Sequence, residues 1–136
     1  MSRFNPFIRH ISTTLYITLD SNGDIETIEL DQLKKFIKNK NNPDDSDFIA
    51  LTDRELNKIG YKGQTYTLTD SETGISKKYK TSKSYFTIKE VFDNLLDFET
   101  DNRPYLEWDD GIDQHHVYFE GFYRINHQCY EIFWGS

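Results

Sequence analysis

The strongest constraint on the fold lies between His115 and Trp134. Val117, Phe119, Gly121, Tyr123 and Ile125 alternate with Tyr118, Glu120, Phe122 and Arg124, and Cys129 to Trp134 returns as a second aromatic run after Asn126-His127-Gln128. Period-two alternation of aromatic and β-branched residues is the signature of strands, and a short polar interruption makes them a hairpin. Aromatics on both faces predict strands that are central and covered on both sides. The last strand is expected to be essential, because a terminal strand frays unless it is paired.

Immediately upstream, Asp97 to Asp113 holds seven carboxylates against Arg103 alone, with Phe98, Tyr105 and Trp108 threaded among them. This reads as an acidic, aromatic loop. Large aromatics are uncommon in solvated loops. They either pin the segment to the core or stand beside the carboxylates as anchors for a partner. On the second reading the partner-binding residues are Glu107, Trp108, Asp109, Asp110 and Asp113.

Two further hairpins are predicted. Thr14 to Leu19 and Ile25 to Glu29 flank Asn22-Gly23, a dipeptide suited to the type I′ turn. Asp20-Ser21-Asn22-Gly23-Asp24 also imitates the opening of a calcium-binding loop, but position six is Ile25 and position twelve is Asp31, so a hairpin is the better reading. Gln64 to Thr69 and Ile75 to Thr81 form the other pair. The clustered lysines of its second strand are what an edge strand carries.

Three short helices are expected. Leu30, Leu33, Phe36 and Ile37 recur at helical spacing after Asp31. Thr52-Asp53-Arg54-Glu55 is a capping box that opens a second helix, with Gly60 as its stop. Thr87-Ile88-Lys89-Glu90 is another box. It opens the best amphipathic helix, which runs to about Phe98 on Ile88, Val91, Phe92, Leu95 and Leu96. The 136 residues are expected to form one α+β domain: an antiparallel sheet of hairpins with helices on one face, preceded by an arm at residues 1–12.

Net charge is −7. That argues against nucleic acid, whose binding is driven by Lys and Arg, and favours a basic protein surface as partner. The lone Cys129 fits a reducing compartment. Met1 to His10 lacks the apolar run of a secretory leader, and no segment reaches the length of a membrane span. A cytoplasmic setting follows, the host cytoplasm if the chain is viral or phage-encoded.

The catalytic residue types gather at the C-terminal end, as Asp113, His115, His116, Glu120, His127 and Cys129. Spacing typical of zinc sites is missing, and so are nucleophile elbows, phosphate loops and dinucleotide fingerprints. No cofactor is expected.

The leading expectation is therefore a small acidic interaction protein that occludes a basic site on its partner, in the manner of inhibitors, toxin-immunity proteins or phage anti-defence proteins. The alternative is a small hydrolase or metal-dependent enzyme built on His115, His116, Glu120 and His127. A third reading is a homo-oligomer whose aromatic strands pair between subunits.

Overall fold

A computed structural model describes residues 10–42, 46–106 and 115–136. The strands are β1 (Ile11–Ser12), β2 (Leu15–Leu19), β3 (Ile25–Leu30), β4 (Lys34–Lys38), β5 (Ser46–Ala50), β6 (Ile59–Lys62), β7 (Thr65–Thr69), β8 (Ser76–Lys80), β9 (Tyr85–Thr87), β10 (Tyr118–Asn126) and β11 (Cys129–Gly135). The helices are α1 (Asp53–Leu56) and α2 (Ile88–Asn102), with a 3-10 turn at Arg103–Tyr105.

The chain is mostly β, and its strands pair almost throughout as antiparallel neighbours. The largest sheet has the order β10-β11-β7-β8, a second has the order β1-β4-β5, and β2-β3 and β6-β9 are two-stranded. The hairpins expected from sequence are β2–β3, β7–β8 and β10–β11. In the first turn the Asp20 carboxylate accepts the backbone N–H groups of Asn22 and Asp24, at 2.8 and 3.0 Å, so its acceptors serve the turn. Gly23 takes a φ of +84°, which suits glycine, but Asn22 does not take a positive φ, so the expected type I′ turn is not formed. Instead the Gly23 N–H closes on the Asp20 carbonyl across Ser21-Asn22.

Both capping boxes form. Thr52 and Thr87 accept from the N–H groups of Glu55 and Glu90, whose side chains reach back to the cap. The core lies between α2 and the large sheet. Val91, Phe92, Leu95 and Phe98 meet Tyr66, Leu68, Phe119, Phe122 and Tyr130. Aromatic rings meet there edge to face, as in Phe92–Phe119 at 5.3 Å and Tyr66–Phe86 at 4.7 Å. That geometry sets the positive ring edge against the negative ring face.

Several expectations are corrected. The described residues hold two helices rather than three. Lys34–Lys38 is a strand lying between β1 and β5. A helix this short has little stability of its own, whereas the strand gains two neighbours and the Phe36–Phe48 cross-strand contact at 5.7 Å. Gly60 does not cap α1, whose C-cap is Asn57. It sits in β6 because the backbone at Thr87 and Ile88 passes too close for a Cβ. α2 runs four residues beyond Phe98, so Asp97 to Asn102 is helical rather than loop.

The C-terminal strand β11 is central, as expected, but β10 is the edge of its sheet. The β11–β7 pairing is parallel, Tyr130 beside Leu68, in an otherwise antiparallel arrangement. No described helix is long and apolar enough to cross a membrane.

Candidate functional site

The C-terminal end of α2 is where buried charge, a turn and the acidic segment meet. Glu99, in the last turn of α2, and Arg103, its C-cap, are one helical turn apart and both buried. Arg103 Nε donates to Glu99 Oε2 at 2.6 Å, with 1% and 3% of the two side chains exposed. Burial pushes the Glu99 carboxyl above its usual range, and the charge of Arg103 draws it back only in part. The guanidinium also lies over the Trp134 ring, 5.2 Å from its centroid, as a cation–π contact contributed by β11.

Arg103 makes a bond on each side of residues 107–114, which lie outside the described residues. Its Nη2 donates to the backbone carbonyl of His116 at 2.7 Å. Its own carbonyl accepts from the N–H of Leu106 at 3.2 Å, and the Leu106 side chain is buried. Leu106 and His116, on either side of that segment, are thus both bonded to Arg103, one through the backbone of the 3-10 turn and the other through the guanidinium.

The β7–β8 turn braces the same corner. Asn102, wholly buried, donates to Asp70 Oδ2 at 2.8 Å and accepts from the Thr73 hydroxyl at 2.6 Å. Glu131 of β11 accepts from both the N–H and the hydroxyl of Ser71 at 2.9 Å. A cleft of about 230 Å³ remains among these groups, bounded by Ser71, Glu99, Arg103, His116, Glu131 and Trp134. Beside it, Tyr105 is 69% exposed and lines a shallow hollow with Glu72, Thr73 and Ile75.

Other carboxylates of α2 are answered within the molecule. Lys77 reaches Asp97 at 3.1 Å and also bonds Asp101. Burial pushes Asp97 up, but the Tyr79 hydroxyl at 2.8 Å and the Lys77 ammonium outweigh it and leave its carboxyl below the usual range.

Glu107, Trp108, Asp109, Asp110 and Asp113, the partner-binding residues read from sequence, lie outside the described residues. The histidines do not converge. His115 is exposed and His116 half-buried just before β10, and Arg103 engages the His116 carbonyl. His127 is exposed in the β10–β11 turn, roughly 26 Å away along a nine-residue strand. Glu120 is exposed, and its carboxylate lies where a Cβ on Gly135 would sit.

Cys129 is half-buried. Burial and then the charge of Glu131 push its thiol up, the opposite of an activated nucleophile. Among the described residues, no three His, Cys, Asp or Glu side chains come together as a metal site.

Sequence reasoning missed the roles of Glu99, Asn102 and Arg103. The signal was present in the i, i+4 spacing of Glu99 and Arg103, but both were counted as loop charges. Comparison with protein-family models, with curated proteins and with solved structures finds no match to this chain.

Proposed function

We propose that this chain is a small acidic interaction protein that binds and occludes a basic site on another protein, an inhibitor-type role exercised in the cytoplasm. The carrying observation is that the buried Arg103 guanidinium bonds the His116 carbonyl while the backbone of Arg103 bonds Leu106, the two residues on either side of the stretch bearing Glu107, Asp109, Asp110 and Asp113. Tying the two ends together removes chain freedom during folding, so less is lost when a partner binds. The carboxylates steer a basic partner into encounter. Trp108 and the exposed Tyr105 are then the apolar anchors within the charged rim. Dispersal of His115, His116 and His127 weighs against the hydrolase alternative.

The test immobilises the wild-type chain and the Asp109→Lys/Asp110→Lys variant, passes native extract over each, and elutes with a salt step. A basic protein released at moderate salt from the wild type alone supports the reading. Equal capture on both, or no basic protein on either, sinks it. With that partner in hand, Tyr105→Ala is expected to weaken binding about tenfold, the loss of a hot-spot aromatic, while the unfolding midpoint stays unchanged.

A further inference from the structure

We infer that the edge of β5, unpaired among the described residues, is a self-association surface, on which a second copy of this chain pairs antiparallel about a two-fold axis at Phe48. The backbone sets the direction. Phe36 donates its N–H to His10 on the β1 side, and Leu51 donates to Leu33 across the β4–β5 side. Alternation along an antiparallel ladder then points Lys35 and Ile37 toward β5, and turns the N–H and C=O of Phe48, opposite Phe36, outward. The side chains agree with the backbone: Phe48 is 51% and Ile49 41% exposed, one on each face of the strand.

The two edges of the four-stranded sheet carry devices that discourage such pairing. β8 presents Lys77, Lys78 and Lys80. β10 is interrupted by two register shifts and carries Arg124. β5 reads Ser-Asp-Phe-Ile-Ala, with no lysine, arginine or proline, and pairs with β4 in unbroken register.

The strand is also complementary to itself. With Phe48 facing the partner's Phe48 as a hydrogen-bonded pair, Asp47 faces the partner's Ile49 and Ser46 the partner's Ala50. No like charges meet. The row of rings His10–Phe36–Phe48, at centroid spacings of 5.8 and 5.7 Å, continues into its two-fold copy and joins two three-stranded sheets into six strands. A contact made by five-residue strands is smaller than the ~800 Å² per partner of a standard interface. The dimer is accordingly weak and reversible.

The proposal is independent of the acidic-segment reading, and its test separates them. Sedimentation equilibrium from micromolar to millimolar protein is run on the wild type, Phe48→Lys, Ile49→Lys and Asp109→Lys/Asp110→Lys, with amide shifts recorded at both ends of the range. The expected result is a mass that climbs toward the dimer for the wild type and the acidic-segment variant, association at least tenfold weaker in each β5 variant, and concentration-dependent shifts confined to β5 and its neighbours. Both β5 substitutions replace exposed side chains. Ile49→Lys should leave the unfolding midpoint unchanged, and Phe48→Lys, which also loses its contact with Phe36, should still unfold cooperatively with the wild-type amide pattern away from β5. A wild type that stays monomeric at millimolar concentration, association that survives both lysines, or shifts mapping elsewhere overturns the proposal. Binding of a foreign extended peptide to β5 by a chain that never self-associates overturns it as well.

Discussion

Arg103, the C-cap of α2, stands one turn beyond Glu99, and the two side chains meet at 2.6 Å in a place almost closed to water. A buried ion pair of this kind is a poor source of net stability, because desolvating both groups offsets most of their attraction. Its use here is positional: the same guanidinium reaches the His116 carbonyl and fixes the return of the chain into β10.

Arg103→Met leaves the Glu99 carboxylate buried without its partner. The expected loss is about 3–5 kcal/mol, and Glu99→Met/Arg103→Met recovers most of it. Urea denaturation measures both variants. Amide exchange near His116 then reads the positional role, staying fast in the double variant even as global stability returns. Equal loss in both variants would show that the charge pairing is not what Arg103 contributes.

Gly60 is expected to tolerate no side chain. A Cβ there would lie 2.9 Å from both Ile88 Cα and Thr87 O, backbone atoms at the start of α2 that have no rotamer to yield. Gly60→Ala should destabilise by about 1–3 kcal/mol, the range of an overpacked core. Denaturant unfolding checks this, and a neutral result would mean that the β6–α2 approach is looser than described.

Acid should weaken the fold through three carboxylates. The Lys35 ammonium and then the Thr52 N–H lower Glu55. The Lys83 ammonium and then the Thr87 N–H lower Glu90. Both carboxyls have an ordinary value of 4.5. Asp97 is held below its ordinary 3.8, as Tyr79 and Lys77 overcome its burial. A carboxyl depressed in the folded chain stabilises fully above its ordinary value and loses that contribution as pH falls through the folded value. Glu99 works the other way, because burial raises its carboxyl and the folded chain takes up that proton first. The fold therefore gains as pH falls from neutrality toward the folded value of Glu99. Urea midpoints should drop only from about pH 4.5 downward, where the three lowered carboxyls are protonated. Glu90→Gln should lower the neutral plateau and flatten the acid limb; an acid limb unchanged by that substitution would contradict the assignment.

How much was legible in the sequence depends on the distance over which each feature is decided. The capping boxes at Thr52 and Thr87, the Asn22-Gly23 turn, the lysine-lined edge of β8 and the alternation of β10 and β11 were all readable, because each rests on chemistry within a few residues. The apolar spacing of Leu33, Phe36 and Ile37 was equally visible, yet it suited a short helix as well as a strand. The neighbours Ile11–Ser12 and Ser46–Ala50 decided between them.

The candidate site shows the same division. The sequence by itself determined that a dense acidic, aromatic stretch precedes the last hairpin, and that Cys129 and four histidines have no motif spacing. Only the tertiary structure decided that Glu99 and Arg103 leave the loop for the helix, that Arg103 bonds both Leu106 and His116, and that β10 sets His127 far from His115 and His116. It alone also placed Tyr130 beside Leu68, 62 residues earlier, as a parallel pair. The physical reason is that caps and turns are closed by neighbouring residues. Strand partners and buried ion pairs are chosen by what the whole chain can bury at once, a comparison among long-range closures that no local pattern records.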